Sequence, residues 1–257
     1  MPDDLAARAD RLRELHSGEM LVLANVWDAT SAKIVADAGF PAVATASAAV
    51  SAMLGYPDGE QAPWQEMFAA ASRIARAVPV PVTVDAEGGY GMRPRELVDR
   101  LLDTGAVGCN LEDTDHLAGG LRDAEKQAEW LAGVRSASRD AGVPIVVNAR
   151  VDTFLPSGGI SEEKRIEETV RRGRLYRDAG ADCVYPIGVR DKHTIATLVT
   201  ELSCPVNGNT SDDLDLATLR ELGVARVSYG PRFYRAAMAG FTKAVQSLAE
   251  ESGRSNP

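Results

Sequence analysis

Three stretches of the sequence carry polar residues that could do chemistry together. They are Asp85 and Glu87 in VTVDAEGGYG, Asn110 and Glu112 in CNLEDTDH, and Asn148 and Arg150 in VVNARVDT. Residues two apart on a strand point to the same face. Because each pair follows an apolar run, we expect the three pairs to end neighbouring strands and to face one another.

Three of these side chains, Asp85, Glu87 and Glu112, are carboxylates. Converging carboxylates repel one another unless a cation lies among them. Oxygen ligands without matching His or Cys residues favour Mg²⁺, with Mn²⁺ as an alternative, over zinc. The sequence therefore predicts a magnesium site, although each residue alone could also be a helix cap or an ion-pair partner. Arg150 offers a planar fork for a substrate carboxylate.

The lysines narrow the class of reaction. All five of them (Lys33, Lys126, Lys164, Lys192 and Lys243) fall in predicted helices or their first turns. No strand-borne lysine is therefore expected to form a Schiff base. A metal that chelates a 2-oxo acid can instead stabilise an enolate as an adjacent bond breaks. The natural reactions are carbon–carbon cleavage, decarboxylation or carbon–phosphorus cleavage.

Short apolar runs alternate with helical patterns along the whole chain. The predicted strands cover 21–26, 42–46, 82–86, 107–112, 145–149, 182–186, 205–208 and 225–229. The predicted helices cover 29–38, 62–77, 94–104, 122–141, 162–179, 191–201, 212–222 and 231–249. Eight such units predict one α/β domain over 1–257, a (β/α)8 TIM barrel.

An alternative fold, the two ends of the chain and the last helix complete the predicted organisation. A doubly wound open sheet is the alternative fold, but the first turn, NVWDATSA, lacks its glycine fingerprint. Residues 4–16 form an extra amphipathic N-terminal helix, and 250–257 form a flexible tail. An apolar stripe on the last helix, from Tyr234 to Leu248, either packs in the core or against another subunit.

Composition and charge exclude several classes of partner. The formal net charge of −9 disfavours nucleic acids and anionic membranes, which attract basic surfaces. The N-terminus has no signal-like apolar segment and no run long enough to span a bilayer follows, so we expect a cytoplasmic protein. The three cysteines show no pairing pattern typical of a disulfide framework or a zinc site.

The chain resembles the isocitrate lyase and phosphoenolpyruvate mutase superfamily over about nine tenths of its length. The resemblance is carried by NVWDATSAKIVADAGFPAVATASAAVSAMLGYPDGE, VDAEGGYG, NLEDTDH, NARVDTF and LGVARVSYGP. It implies a (β/α)8 barrel, magnesium held through Asp85, Glu87 and Glu112, and Arg150 after the fifth strand. It also implies a dimer or tetramer that exchanges its final helix between subunits.

The resemblance further implies the residues that bind the substrate. A loop after the second strand supplies backbone amides to a carboxylate, and Trp27 and Asp58 lie nearby. Asn207 is placed among the later strand ends that line the pocket. The implied loop residues are Thr45, Ala46, Ser47 and Ala48.

The chain departs from the family pattern where the substrate is chosen. The catalytic-cysteine motif of the isocitrate lyases is absent after Glu112, and Thr114 stands where phosphonopyruvate-type enzymes have a lysine. Ile187 replaces a polar residue, which predicts a shorter or less charged substrate tail. His116 remains on the gating segment as a candidate proton carrier, or as a solvated bystander.

These observations predict a magnesium-dependent lyase that cleaves a carbon–carbon bond of a small 2-oxo or 2-hydroxy acid. Arg150, His116 and Glu112 are its predicted catalytic residues. A phosphonopyruvate-type enzyme and a 2-oxo acid binding barrel without turnover are the alternatives. The substrate is the expected small-molecule partner, and we expect no nucleic acid, no membrane and a homo-oligomer.

Overall fold

The computed structural model describes residues 2–254, with side chains from residue 4 onward. Its strands are β1 (Leu21–Leu23, continued by Asn25–Val26), β2 (Val43–Thr45), β3 (Val82–Asp85), β4 (Gly108–Glu112), β5 (Val146–Val151), β6 (Cys183–Pro186), β7 (Asn207–Asn209) and β8 (Arg226–Ser228). Its helices are α1 (Pro2–Glu14), α2 (Ala29–Asp37), α3 (Ser47–Leu54), α4 (Trp64–Ala77), α5 (Pro94–Thr104), α6 (Ala124–Asp140), α7 (Arg165–Asp178), α8 (Lys192–Leu202), α9 (Leu216–Glu221) and α10 (Arg232–Glu251).

The strands pair in parallel and in chain order around a ring. β1 pairs with β8 through its first segment and with β2 through its second. Each strand from β2 to β5 pairs with the next, a single bridge between Val184 and Val206 joins β6 to β7, and β7 pairs with β8. The predicted (β/α)8 arrangement is therefore confirmed, and the doubly wound alternative is wrong.

Amphipathic helices cover the outside of this ring. In α5, Leu97, Val98 and Leu101 are buried against the strands, whereas Arg95 and Asp99 form an ion pair on the exposed face. Gly105 ends the helix in a left-handed conformation, which glycine adopts without steric cost. The apolar period of 3.6 residues thus determines which face of each helix meets the barrel.

The N-terminal helix closes one end of the barrel, which we call the floor. Leu12 is fully buried, and a side chain at Gly108 of β4 would collide with it. Arg13 donates to Asp182 and to the carbonyl of Pro144, both just before strands begin. The opposite end, where the strands finish, is the mouth and stays open to ligands.

The structure corrects several predicted boundaries. The predicted loop after β2 is largely a helix, α3, whose small residues are apolar on all sides and so give no helical stripe. α1 ends at Glu14, so Leu15 and His16 lie in the turn that follows. The predicted tail is helical through Glu251, and 255–257 lie outside the described residues.

Between residues 2 and 254, no helix is long and apolar enough to cross a membrane.

Candidate active site

Strand register brings the predicted polar pairs together at the mouth. Asp85 lies opposite Asn110, and Asn110 lies opposite Asn148. One pair further along, Glu112 lies opposite Arg150. The alternation of two along each strand therefore groups these side chains as the sequence predicted.

Arg150 is the centre of a buried chain of charges. Its Nε and Nη2 donate to the two carboxylate oxygens of Asp152 at 2.7 and 2.8 Å. Its Nη1 forms an ion pair with Glu112 Oε2. The guanidinium predicted to bind a substrate carboxylate is thus already held by two protein carboxylates. Its role as a substrate clamp stays a prediction.

Asp152 and its supports were missed by sequence reasoning. Asp152 is fully buried and accepts from Thr114 Oγ1 as well as from Arg150. Its backbone N–H donates to Asp113, which in turn accepts from Arg172 and Tyr176 of α7. The available signal was the position of Asp152, two residues after Arg150, which continues the inward-facing row.

His116 contacts the same cluster from the segment after β4. Its Nε2 lies 2.5 Å from Glu112 Oε1, and only 17% of its side chain is exposed. The hydrogen bond to Glu112 raises the pKa of His116, although burial opposes that effect. Burial raises the pKa of Glu112, while Arg150 acts in the opposite direction. Imidazole and carboxyl therefore form a hydrogen-bonded pair that can share a proton.

Asp85 has the carboxylate with the most free capacity. Its Oδ2 accepts from the backbone N–H of Ser47 at 3.0 Å, where α3 begins. Its own N–H donates to Thr45 Oγ1 at 2.8 Å. Its Oδ1 is buried and has no hydrogen-bond partner among the described residues. Desolvation and the neighbouring Asp85 raise the pKa of Asp58, although much of Asp58 is exposed.

Glu87 lies in a segment of unusual backbone conformation. Glu87, Tyr90 and Glu60 all have positive φ, between 49° and 57°. Tyr90 Oη donates to Glu87 Oε1 at 2.7 Å, and the backbone N–H of Glu60 donates to Oε2. Burial raises the pKa of Glu87 to about 7 against these hydrogen bonds. Such backbone conformations cost on the order of 1 kcal/mol each, so the surrounding contacts must hold this segment in place.

The donor set partly fits a hard cation. In the part of the chain that the structure describes, no three His, Cys, Asp or Glu side chains lie close enough to hold one metal directly. Asp85 fits as a direct ligand because Oδ1 is buried and free. Glu87 accepts hydrogen bonds on both oxygens, and Glu112 contacts His116 with one oxygen and is ion-paired with Arg150 through the other, so both suit water-mediated binding. Mg²⁺ commonly keeps several of its waters.

The remaining predicted residues lie at different distances from this cluster. Thr45, Ala46 and Ser47 are buried beside Asp85 at the start of α3, and Ala48 is half-buried in its first turn. Asn207 is fully buried and accepts from Ser228 Oγ. Trp27 instead packs edge-on against Tyr234 of α10 and lines an apolar cavity between α2 and α10. The structure therefore does not bring Trp27 into the carboxylate cluster.

Comparison with known proteins identifies the family. The phosphoenolpyruvate phosphomutase family matches residues 12–249. An uncharacterised protein of Mycobacterium tuberculosis (strain H37Rv) is 34% identical over 235 residues, 91% of this chain and 87% of that protein. The oxaloacetate decarboxylase of Bradyrhizobium sp. (strain BTAi1) is 31% identical over 237 residues, 88% of this chain and 80% of that enzyme.

A solved structure agrees with these matches. The crystal structure of a Burkholderia cenocepacia J2315 protein, provisionally named a phosphonomutase, has 39% sequence identity and a TM-score of 0.86. The similarity covers 95% of this chain and 99% of that one. The predicted membership of an enzyme superfamily is thereby confirmed. The chain belongs to the phosphoenolpyruvate phosphomutase family, within the superfamily that also contains isocitrate lyase.

Proposed function

We propose that this protein is a lyase that breaks the bond between C3 and C4 of a small 2-oxo dicarboxylic acid, so that the electron pair is left on C3, next to the 2-oxo group. The observation that carries the proposal is the cluster of Glu112, which is buried, with the half-buried Asp85, Arg150 and His116 at the mouth of the barrel. Similarity to oxaloacetate decarboxylase supports carbon–carbon rather than carbon–phosphorus chemistry. Decarboxylation of a 2-oxo diacid is the simplest reaction that fits.

The reaction requires groups that bind the substrate carboxylates and a group that donates a proton. With oxaloacetate, the C3–C4 bond breaks, CO₂ leaves and its electron pair forms the enolate of pyruvate. Addition of one proton at C3 then gives pyruvate. His116, paired with Glu112, is the candidate proton donor, and water is the alternative. Arg150 and the backbone N–H groups of Ala46 and Ala48 are the candidates to orient the carboxylates, because the N–H of Ser47 already donates to Asp85.

Asp85, with Glu87 and Glu112 acting through water, is the proposed site for magnesium or manganese. The buried free oxygen of Asp85 supports this assignment. A divalent cation, when bound, supplies a positive charge that polarises the 2-oxo group. The protein side chains orient the acid, exclude water and hold the proton.

An Asp85→Asn variant tests the proposal because it removes the charge and keeps the shape. We expect turnover of oxaloacetate in the presence of Mg²⁺ to fall about a thousandfold, since the fixed carboxylate is lost from a buried site. Mn²⁺ binding, measured by calorimetry, should disappear as well. Asp99→Asn on the exposed face of α5 is the matched control and should leave both quantities unchanged.

Two results would contradict the proposal. Wild-type turnover by Asp85→Asn would remove the metal from the mechanism. Binding of 2-oxo acids by the wild type without turnover of oxaloacetate or 2-hydroxy diacids would favour a binding barrel instead.

A carbon–phosphorus enzyme is the second candidate function. It is favoured by the 39% identity to the protein provisionally named a phosphonomutase. Thr114 argues against it, because its hydroxyl is used by Asp152 and it cannot supply the cation that a lysine would. Release of phosphate or a phosphoryl shift with phosphonopyruvate, without oxaloacetate turnover, would select this candidate.

We also propose that a second copy of the chain covers α10. None of its residues is buried, and Phe241, Val245 and Leu248 are 66%, 47% and 64% exposed. Ile34 of α2 is 65% exposed as well, close to the cavity shared with α10. Such a row of exposed apolar side chains is typical of a surface that is covered in an oligomer. Light scattering of a Phe241→Glu variant should show a smaller species than the wild type.

A further inference from the structure

Asn110 of β4 lies at the centre of a small polar cluster inside the barrel. Its Oδ1 accepts from Nδ2 of Asn148 at 2.9 Å and from Nη2 of Arg226 at 3.1 Å. Asn148 and Arg226 are both 0% exposed. They come from β5 and β8, so closure of the ring brings them to the same oxygen. The proposed mechanism gives Asn110 and Arg226 no role.

Arg226 determines which way the side-chain amide of Asn110 faces. A guanidinium has N–H donors and no acceptor, so the Asn110 atom that it contacts must be the oxygen. Asn148 donates to the same oxygen, which adds a second contact against rotation of the amide. The NH₂ group of Asn110 is therefore directed away from both partners.

The NH₂ group of Asn110 faces the mouth. Its Nδ2 makes no hydrogen bond with any residue between 4 and 254, and unlike Oδ1 of Asn148 it is not sealed from solvent. Asn110 is 6% exposed, and Leu12 blocks the floor side at Gly108, two residues earlier on the same face of β4. The two N–H donors of Asn110 are thus free for a ligand that enters from the mouth.

These free donors lie beside the residues proposed to hold the 2-oxo end of the substrate. Asp85 lies directly opposite Asn110 in the pairing of β3 with β4. Glu112 follows Asn110 by two residues on β4 and so shares its inward face. Ionised carboxylates only accept hydrogen bonds, whereas the amide of Asn110 can donate them. An anionic oxygen held beside Asp85 therefore has a fixed donor in Asn110.

Holding Asn110 in this way lowers the stability of the folded protein. Nε and Nη1 of Arg226 and Oδ1 of Asn148 are buried and have no hydrogen-bond partner between residues 4 and 254. Each buried donor or acceptor without a partner carries a desolvation penalty. An apolar side chain in place of Arg226 would avoid most of this penalty, so stability does not explain the presence of the guanidinium.

From these observations we propose that Asn110 is a catalytic residue and that Arg226 is its positioning residue. The NH₂ group of Asn110 donates a hydrogen bond to an oxygen at the 2-oxo end of the acid, where negative charge develops as the enolate forms. Arg226 does not contact the substrate and acts by fixing the amide of Asn110. This inference rests on the proposed function, because it adds a donor to the same site.

Binding of oxalate, an unreactive dianion that resembles the enolate of pyruvate, tests this assignment separately from catalysis. Calorimetry with Mg²⁺ present measures the affinity, and urea unfolding of the same proteins measures their stability. We expect Asn110→Ala to weaken oxalate binding about tenfold, as for a lost hydrogen bond to a charged group. Arg226→Met should weaken it by about threefold, a smaller loss because Asn148 still contacts Oδ1 of Asn110.

Stability and affinity should change in opposite directions in two of the variants. Arg226→Met removes the unpaired guanidinium, so its urea unfolding midpoint should rise while its affinity for oxalate falls. Asn110→Asp keeps the shape of the side chain and gives Arg226 a carboxylate partner, but it offers no N–H. It should be at least as stable as the wild type and bind oxalate more weakly. A merely structural role would not combine higher stability with weaker binding.

A double variant separates positioning from any direct effect of the charge of Arg226. If Arg226 acts only through Asn110, Arg226→Met should cause no further loss of oxalate affinity in a protein that already carries Asn110→Ala. Arg220→Gln on the exposed face of α9 is the control for a lost positive charge. It should leave the affinity for oxalate unchanged.

Three outcomes would overturn the assignment. Wild-type affinity for oxalate in either Asn110→Ala or Asn110→Asp would show that the amide does not contact the ligand. Wild-type affinity in Arg226→Met, or an equal loss with and without Asn110→Ala, would show that Arg226 does not act through Asn110. No binding of oxalate by the wild type would refute the proposed function itself, and this inference with it.

Discussion

The two ends of the barrel differ in whether a buried arginine is paired with carboxylates. At the mouth, Arg150 lies between Glu112 and Asp152 and is paired with both. Toward the floor, Arg226 of β8 is 0% exposed, and its Nη2 donates to Asn110 Oδ1 at 3.1 Å. Its Nε and Nη1 have no hydrogen-bond partner between residues 4 and 254.

The difference separates a buried charge that the protein compensates from one that it does not. A compensated cluster can exchange a protein partner for a substrate carboxylate at small electrostatic cost. An uncompensated guanidinium costs several kcal/mol of desolvation, and that cost lowers the stability of the folded state. Arg226 contacts the site only through Asn110, so burial by itself does not identify a binding residue.

Matched arginine substitutions should have opposite effects on stability. Arg150→Met leaves two buried carboxylates without their cation, and we expect it to lower the free energy of unfolding by about 3 to 5 kcal/mol. Arg226→Met replaces an unpaired buried charge with an apolar chain, and we expect it to raise that free energy by about 1 to 4 kcal/mol. Urea unfolding at neutral pH measures both values. A lower free energy of unfolding in both variants would contradict the expected difference between the two arginines.

His16, at the floor, should make stability depend on pH. Burial, and then the nearby Arg226, lowers the pKa of His16 to about 4. The unfolded chain binds a proton near pH 6.5 while the folded state does not, so this contribution is present above pH 6.5. It is lost as pH falls toward 4 and amounts to about 3 kcal/mol.

The pH dependence can be isolated with two histidine variants. Urea unfolding from pH 7 to pH 4 should show a steeper loss of stability for the wild type than for His16→Gln. His193→Gln, on the exposed face of α8, should follow the wild type. Identical slopes for all three proteins would mean that His16 is protonated in the folded state.

Packing of α1 against the floor should tolerate little added volume. A Cβ at Gly108 would lie 2.7 Å from the buried Leu12 and 3.1 Å from the carbonyl oxygen of Val146. We therefore expect Gly108→Ala to lower the melting temperature, at a cost of about 1 to 3 kcal/mol. Gly18→Ala, where no atom lies within 4 Å, is the control. An unchanged melting temperature for Gly108→Ala would show that α1 packs loosely.

The sequence could predict much of the fold and the polar row at each strand end. Strand positions followed from apolar runs, and alternation by two correctly grouped Glu112 with Arg150. The helix α3 was predicted as a loop because its sequence is mostly apolar and has no distinct polar face. Asp152 was not predicted because its position two residues after Arg150 places it on the inward face but does not indicate what it contacts. Its importance comes from contacts with residues far away in the chain.

Local periodicity and residue type therefore determined the barrel, the family and the residues at the mouth. Both properties depend only on residues that are close together in the sequence. Only the tertiary structure decided which charges are paired, that Arg226 is buried without a carboxylate, and that Trp27 lies away from the cluster. It also brought Arg190, Arg232 and Arg235 together around one cavity. The physical reason is that ion pairing and burial depend on distances between strands and loops, and closure of the barrel sets those distances.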